Sequence, residues 1–372
     1  MKVTIAVIPG DGIGPEVTNQ AKKALDAVAD IYNHVFIYKE AQIGACAIEE
    51  TGNPLPEETI EICKKADAIL YGAIGNPKYN DPSLKIRPEQ ALLKLRQELD
   101  LFCNINPVRA YDQLIKNSPL RREIIKGTDI AIYRELTGGI YFGKKEVSKD
   151  GNSAYDVCSY TVDQISRLTH LAFKAAQSRK NKVTLIDKSD VLETSRLWRK
   201  TVTEIAKEYK DVKLEHLYAD NAAMKLILNP KKFDVILTEN FIGDIISDEA
   251  SVISGSIGLL ASSSIGNDNA LFAPVHGSYP EATGKDIANP LASILSAALL
   301  LEHLGLHEEA DAIERAVEKS LDLNITTVDI KGKNKYAAAT SKVGDFISDY
   351  ILNQEDSNLN FKNIHMGQST II

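Results

Sequence analysis

Asp244 and Asp248 lie four residues apart in the segment TENFIGDIISDEAS, residues 238–251. On a helix, this spacing places both carboxylates on one face, about one turn apart. Two like charges at this spacing destabilise an isolated helix, whereas a hard divalent cation takes carboxylate oxygens as ligands. The segment indicates either a site for Mg²⁺ or Mn²⁺ or a solvated acidic helix face, and these residues by themselves favour neither.

A third carboxylate, Asp220, opens the segment DNAAM directly after the apolar segment LEHLY. A lone aspartate at the start of a helix is usually an N-cap. In α/β proteins, however, ligands also collect where strands end. Together with Asp244 and Asp248, Asp220 would give a cation three carboxylates from two elements and leave coordination positions for substrate oxygens.

Lys188 and Tyr141 are candidate proton-transfer groups. Lys188 follows the apolar segment VTLID, and a lysine beside a divalent cation would have a lowered pKa and could act as a general base. A surface lysine beside Asp187 is the alternative. Tyr141, in RELTGGIYFG, could be the acid or a packed aromatic side chain.

Two arginines are candidates for binding an anion. Arg96 lies on the amphipathic segment PEQALLKLRQEL, and Arg134 is near the end of the apolar segment DIAIYRE. An arginine that leaves a buried strand needs an anionic partner, and its planar guanidinium pairs best with a carboxylate. The position of Arg134 therefore indicates an acidic ligand more strongly than that of Arg96.

Two glycine-bearing segments could approach a nucleotide. The loop Pro9–Pro15 has the pattern G-x-G-x-G, which is as typical of a tight strand-to-helix turn as of a nucleotide contact. In residues 271–294, His276-Gly277 follows a short apolar run, and Asn289-Pro290 is typical of a helix start. An ordinary surface loop is the alternative. With a dinucleotide bound, Glu281 would accept hydrogen bonds from ribose hydroxyls and repel a 2'-phosphate, which selects NAD over NADP.

The elements that would position these residues are those of an α/β protein, because short apolar runs alternate with longer amphipathic ones. Residues 129–160 break the alternation and are strand-like throughout, with turns at Gly138-Gly139 and Asp150-Gly151. Successive strands without helices predict a projecting β-arm, of the kind that often pairs with another subunit.

Composition is that of an ordinary globular enzyme. The length of 372 residues favours two domains, and the formal charge of −8 disfavours a nucleic-acid surface. The four cysteines include no C-x-x-C pair, which favours free thiols in a reducing cytoplasm. No apolar run is long enough to span a bilayer, so no membrane role is expected.

Six segments occur in order along nearly the whole chain: PGDGIGPEV, RELTGGIYFG, DKSDVLETSRLWR, DNAAM, TENFIGDIISDEAS and APVHGSYPEATGKDIANP. Together they resemble the isocitrate/isopropylmalate dehydrogenase family, and six ordered segments are far more specific than any one of them. The resemblance implies a two-domain α/β fold that differs from the Rossmann fold. The domain on the cofactor side would comprise residues 1–101 and 255–372. Residues 102–254 would carry the metal, substrate and dimerisation elements, with a β-arm at about 135–160.

The resemblance also implies a NAD-dependent, decarboxylating dehydrogenase that works as a homodimer with shared active sites. Asp244 and Asp248, with Asp220 from the partner subunit, would bind Mg²⁺ or Mn²⁺ together with the hydroxyl and a carboxylate of the substrate. The remaining implied roles are proton removal from the hydroxyl by the partner's Lys188, protonation of the enolate by Tyr141, and carboxylate binding by Arg96 and Arg134.

Within the family, the predicted helix that carries Arg96 favours an alkyl-substituted malate as substrate. Leu92, Leu93 and Val191 would line an apolar pocket for an isopropyl group, whereas isocitrate enzymes place Ser and Asn on this helix to meet a third carboxylate. The implied reaction is oxidative decarboxylation of 3-isopropylmalate to 4-methyl-2-oxopentanoate in leucine biosynthesis. Further residues implied in substrate or NAD contact are Glu89, Gly75, His276, Gly277, Glu281, Ala288 and Asn289.

Two positions depart from the family pattern. The family has an arginine before the proline after LF-x-N, a further carboxylate clamp, where this chain has Asn106; Arg109, three residues on, could compensate. The family usually reads D-K-A-N-V, whereas this chain has Ser189 and Asp190, which adds a negative charge near the nicotinamide. Loss of one charged clamp would weaken substrate binding by about 1.5–3 kcal/mol.

Three other functions compete with this one. Because of Asn106, a sister dehydrogenase that acts on tartrate, malate, isocitrate or homoisocitrate is the first alternative. A non-catalytic regulatory subunit is disfavoured, because buried charges that cost stability have no reason to persist without chemistry. A Mg²⁺-dependent phosphoryl-transfer enzyme would explain the acids, but the sequence has no P-loop and no lysine to cradle a phosphate.

Overall fold

The computed structural model describes residues 1–81, 84, 86–331 and 336–353. The twelve strands in this part of the chain are β1 (Lys2–Gly10), β2 (Val35–Glu40), β3 (Ala68–Ala73), β4 (Cys103–Arg109), β5 (Asp129–Glu135), β6 (Lys145–Val147), β7 (Ala154–Asp156), β8 (Lys182–Asp187), β9 (Lys213–Tyr218), β10 (Val235–Thr238), β11 (Ala261–Ile265) and β12 (Ala270–Pro274).

The α-helices in the same part are α1 (Gly14–Tyr32), α2 (Ala45–Thr51), α3 (Glu57–Lys65), α4 (Glu89–Glu98), α5 (Arg122–Ile125), α6 (Val162–Gln177), α7 (Glu193–Ile205), α8 (Ala219–Leu228), α9 (Asn240–Ser254), α10 (Leu291–His303), α11 (His307–Leu323) and α12 (Thr340–Leu352). Among the described residues, no helix is both long enough and apolar enough to cross a membrane.

Ten strands form one mixed sheet in the order β2-β1-β3-β12-β11-β4-β5-β10-β8-β9. The two outer parts are parallel, whereas β12, β11, β4 and β5 pair antiparallel at the centre. Alternate residues of β1 enter different clusters: Val3, Ile5 and Val7 pack on one face, Ala6 and Ile8 on the other. Apolar burial on both faces is typical of largely parallel sheets covered by helices, so the predicted α/β class is confirmed.

The predicted β-arm and the turns at Gly138-Gly139 and Asp150-Gly151 are present, but the strands are shorter than the strand-like pattern of residues 129–160 indicates. After β5, residues 136–144 form bends and turns, and the arm is a hairpin of only β6 and β7. Close packing explains the difference: a Cβ on Gly139 would lie 2.1 Å from the Tyr160 hydroxyl, and one on Gly143 would lie 1.6 Å from the Val157 carbonyl oxygen. Strand propensity therefore yields to contacts that only glycine permits.

The loop Pro9–Pro15 is a tight turn in which Asp11 is the central anchor. The Asp11 carboxylate accepts hydrogen bonds from the backbone amides of Ala45, Cys46 and Gly75. Gly10 has a φ of +71°, and a Cβ there would lie 1.9 Å from the carbonyl oxygen of Ala73. The glycine is therefore required by the turn itself.

Two predicted helix starts can be compared with the structure. The Asn289 side chain accepts a hydrogen bond from the backbone amide of Leu291, the first residue of α10, which confirms the predicted start. Asp220 is instead in the first turn of α8, which follows Tyr218 without a side-chain cap. Asp220 is therefore not the N-cap; its Oδ1 atom accepts from the Asn221 amide at 3.0 Å and its Oδ2 atom from Lys188 Nζ at 3.2 Å.

Candidate functional site

A cavity of about 370 Å³ opens where β5 and β10 end. It contains substrate, acid and metal candidates from four separate segments: helix α4, strand β5, the turn after β5, and helix α9. The predicted site residues that line it are Leu92, Leu93, Arg96, Arg134, Tyr141, Asp244, Asp248, His276 and Gly277.

Three hydrogen bonds to two side chains hold Arg134 in this cavity. Its Nε and Nη2 atoms donate to the Asn240 Oδ1 atom at 3.1 and 2.9 Å, and its Nη1 atom donates to Asp244. The side chain is 9% exposed. A guanidinium has five N–H donors, so two remain for a ligand after these three bonds.

Arg96 lies across the same cavity and has a buried Nε atom without a hydrogen-bond partner among the described residues. Burial, with the nearby charge of Arg134, lowers the pKa of Arg96 to about 10. A buried N–H donor without a partner is costly unless a ligand satisfies it. The cavity is therefore built to receive an anion.

Tyr141 contributes a protonated hydroxyl to the cavity. Its hydroxyl donates to the Asp244 Oδ2 atom at 2.7 Å, and its ring meets Phe241 edge to face. Burial and, secondly, the hydrogen bond to Asp244 raise the pKa of Tyr141 to about 12. The phenol therefore keeps its proton at neutral pH and can donate it.

Asp244 and Asp248 both face the cavity from α9, as their spacing predicts. Partial burial and the nearby charge of Asp244 raise the pKa of Asp248. A divalent cation would relieve this repulsion, and carboxylate oxygens suit Mg²⁺ or Mn²⁺. The two residues fit part of a metal site, but within the described ranges no three His, Cys, Asp or Glu side chains cluster to complete one.

Lys188 and Asp220 lie outside the set of residues that line this cavity. The Lys188 Nζ atom is 3.2 Å from Asp220 Oδ2 and 3.3 Å from Asp190 Oδ2. The hydrogen bond to Asp220 raises the pKa of Lys188, contrary to the lowering expected beside a cation. Val191, predicted to meet the substrate, is 64% exposed and also lies outside the set of residues that line this cavity.

A second cavity, of about 400 Å³, adjoins the first through His276 and Gly277. Ile13, Ala288 and Asn289 also line it. His276 Nδ1 bonds to the Gly277 carbonyl, while its buried Nε2 atom has no partner in the part of the chain described. Burial lowers the pKa of His276, so the ring stays neutral and Nε2 can accept a hydrogen bond from a ligand.

Three predicted contact residues within the described ranges, Gly75, Glu89 and Glu281, line neither of the two cavities. Glu281 is exposed in the turn after Tyr279. A Cβ built on Gly75 would lie 3.1 Å from Glu89 Oε1, so these two residues are neighbours.

The directions of the side chains show what the two departures from the family pattern, at Asn106 and Asp190, change at the site. Asn106 lines the first cavity, is 5% exposed and donates from Nδ2 to Asn104 Oδ1 at 2.8 Å. Arg109 instead points to α11, where it pairs with Glu318 at 2.9 Å. Arg109 therefore does not replace the missing clamp, and the charge of Asp190 lies against Lys188.

Several residues at the site were not identified from the sequence. Asn240 and Asn104 are buried amides in the first cavity, and Asp329 lines the second. Asn240 follows strand β10 directly at the start of a helix, which is a position where ligands collect in α/β proteins. That position was a usable signal, whereas nothing local distinguishes Asn104 or Asp329.

The fold is α/β, and the first cavity holds two arginines beside a pair of carboxylates. The family model for isocitrate/isopropylmalate dehydrogenase matches residues 4–347. The chain therefore belongs to the isocitrate/isopropylmalate dehydrogenase family, whose members are decarboxylating dehydrogenases.

Relatives and solved structures agree with this family. The 3-isopropylmalate dehydrogenases of Wolinella succinogenes and Clostridium acetobutylicum are each 50% identical to the chain, covering 94% and 92% of it and 98% of each relative. Isocitrate dehydrogenase from Methylococcus capsulatus superposes with a TM-score of 0.85 at 31% identity, over 94% of this chain and 99% of that one. A beta-decarboxylating dehydrogenase from Thermococcus kodakarensis gives 0.78 at 35% identity, over 95% and 98%.

Proposed function

We propose that the chain oxidises 3-isopropylmalate with NAD and decarboxylates the product to 4-methyl-2-oxopentanoate, a step of leucine biosynthesis. The observation that carries the proposal is the buried, unpartnered Nε atom of Arg96 in the cavity that the apolar side chains of Leu92 and Leu93 also line. An anion with a branched alkyl substituent satisfies both features at once. Relatives at about half identity are named for this activity.

Arg96 and Arg134 bind the substrate carboxylates in this proposal. Leu92 and Leu93 contact the isopropyl group, with Glu89 on the same helix and Val191 from a second copy of the chain. Because the two arginines come from a helix and a strand, they fix the acid in one orientation.

Asp244 and Asp248, with Asp220 of a second copy, would hold Mg²⁺ or Mn²⁺. The cation, when bound, polarises substrate oxygens and stabilises negative charge that develops during decarboxylation. Arg134 and Tyr141 already contact Asp244, so the same carboxylate also orients the groups that bind and protonate the substrate.

In the assembled site a bound cation would lower the pKa of the nearby Lys188 of the second copy, whose neutral amine then takes the hydroxyl proton as the C–H hydrogen leaves as hydride. Tyr141 then delivers its phenolic proton to the carbon that has lost CO₂. The raised pKa of Tyr141, about 12, keeps this proton in place until it is needed. NAD, when bound, accepts the hydride.

The second cavity is the proposed NAD site. His276, Gly277, Ala288 and Asn289 line it, and the unpartnered Nε2 atom of His276 fits a hydroxyl or amide donor of the cofactor. Gly75 and Glu281 would also contact NAD, with Glu281 disfavouring a 2'-phosphate.

The active enzyme is proposed to be a homodimer, because Lys188 and Asp220 lie outside the cavity of their own chain. Its proposed location is the cytoplasm. Exposed apolar side chains on α8 and α9 support a partner surface there: Met224, Leu228 and Ile245 are 54, 61 and 55% exposed. Each subunit would divide into residues 1–101 with 255–372, and residues 102–254: the buried cluster around Ile69 belongs to the first part and that around Phe173 to the second, while Leu114 and Leu260 link two further clusters across the boundary.

The test is formation of NADH, followed by its absorbance, when 3-isopropylmalate and Mn²⁺ are added to the purified chain. Isocitrate, homoisocitrate, malate and tartrate are assayed in parallel, because Asn106 leaves the cavity with one cationic clamp fewer. Metal-dependent activity with 3-isopropylmalate alone supports the proposal, and a chelator should abolish it. Activity only with another acid would reassign the substrate, and no activity with any acid would contradict the proposal.

A further inference from the structure

Asn240 forms hydrogen bonds with two other segments of the site, strand β5 and the turn that follows it. Its Oδ1 atom accepts two hydrogen bonds from Arg134, at 3.1 Å from Nε and 2.9 Å from Nη2. Its Nδ2 atom donates to the Gly138 carbonyl oxygen at 3.2 Å. The residue is 1% exposed, so water does not compete for these bonds.

The carboxamide thereby joins strand β5, the turn that carries Tyr141, and the start of helix α9. The Asn240 backbone amide donates to the Tyr160 hydroxyl at 3.0 Å, and that hydroxyl donates to Glu239 at 2.7 Å. Asn240 is therefore fixed from both its backbone and its side chain. A fixed amide holds its partner in one direction at little further entropic cost.

The chemistry of the amide matters as much as its place. A carboxylate at this position would also accept both bonds from Arg134, but it would add a second negative charge to a guanidinium that already contacts Asp244. An amide oxygen is neutral, so the Arg134 charge stays available to an incoming acid.

We infer that Asn240 is a positioning residue: it orients Arg134 toward the substrate carboxylate without neutralising its charge, and it anchors the turn that presents Tyr141. This inference rests on the proposed function, because Arg134 must bind an acid.

The experiment compares Asn240→Asp and Asn240→Ala with the wild-type chain. Asn240→Asp keeps the size and the acceptor for Arg134 but adds charge and loses the donor to the Gly138 carbonyl, whereas Asn240→Ala removes the acceptor and the donor without adding charge. The KM for the acid, the KM for NAD, kcat and the thermal midpoint are measured for each. Asn19→Asp, on an exposed position of α1, controls for the same chemical change elsewhere.

We expect the KM for the acid to rise at least about tenfold in Asn240→Asp, no less than in Asn240→Ala, while the KM for NAD changes less than about twofold. Retention of the wild-type KM for the acid in Asn240→Asp would overturn the requirement for a neutral group. An equal rise in both KM values would mean that Asn240 only supports the fold.

Calorimetric titration with racemic malate separates this inference from the proposed function. Should the wild-type chain turn over none of the acids, weaker malate binding in the Asn240 variants would still support the inference. A wild-type chain that binds no acid would overturn both. If Asn240→Asp does not fold, Asn240→Ala must still weaken acid binding selectively, or the inference fails.

Discussion

At the scale of single residues, direction decides which charges belong to the site. Arg96 lines the cavity and has a buried nitrogen without a partner among the described residues. Arg109, at the end of strand β4, pairs with Glu318 instead. Arg96 therefore needs a ligand as a hydrogen-bond partner, and Arg109 does not. This difference allows a matched comparison of two identical substitutions.

Arg96→Gln should raise the KM for the acid by about ten- to a hundredfold, because removal of a charged hydrogen-bond donor costs about 1.5–3 kcal/mol. Arg109→Gln, the matched control, should leave this KM almost unchanged and cost less than about 1 kcal/mol of stability. Steady-state kinetics and chemical unfolding measure both. Equal effects of the two substitutions would show that Arg96 is not the anion-binding group.

Lys188→Met should lower kcat by about 100- to 10,000-fold, the range for loss of a general base. The KM for NAD should stay close to its wild-type value, because Lys188 lies outside the second cavity. Lys207→Met, at an exposed lysine paired with Glu204, is the control. A kcat within a few fold of wild type would remove Lys188 from the mechanism.

At the scale of elements, helix α9 carries both aspartates and packs closely on strand β5. A Cβ on Gly243 would lie 2.7 Å from Arg134 Cγ and 2.9 Å from Thr238 Cγ2. Glycine inside a helix costs about 1 kcal/mol relative to alanine. Its presence here is explained by the close approach, which brings Asp244 within reach of Arg134.

Gly243→Ala should therefore impair function although alanine favours helix. Overpacking costs about 1–3 kcal/mol, and a shifted α9 moves Asp244 and Asp248. We expect a higher Mn²⁺ concentration for half-maximal activity and a higher KM for the acid, with Ser251→Ala on the same helix as control. Unchanged metal dependence would show that the helix tolerates the added methyl group.

At the scale of the whole molecule, the proposed machinery is divided between two places on one chain. The cavity has Asp244, whereas Lys188 pairs with Asp220 elsewhere. One chain therefore presents two incomplete halves, and a symmetric dimer would complete two sites at once.

Mixing two inactive variants tests this division. Lys188→Met and Asp244→Asn should each be inactive, but their hybrid dimer would contain one intact site and one doubly altered site. Unfolding and refolding an equal mixture should restore about a quarter of wild-type activity, since half of the dimers are hybrids with one site each. A mixture that stays inactive would place Lys188 and Asp244 in the same subunit's site.

Local patterns in the sequence determined the α/β class, the pairing of Asp244 with Asp248 on one helix face and the start of α10, because hydrophobic periodicity and caps act over a few residues. They failed for residues 140–144, where contacts with Tyr160 and Val157 outweigh strand propensity.

Only the tertiary structure brought Arg96, Arg134 and Tyr141 to one cavity, turned Arg109 away from it and revealed Asn240 as the residue that holds Arg134. Arg134 and Asn240, for example, are more than a hundred residues apart in the sequence. These relations depend on how strands are ordered in the sheet and how helices pack on it, which no short stretch of sequence encodes.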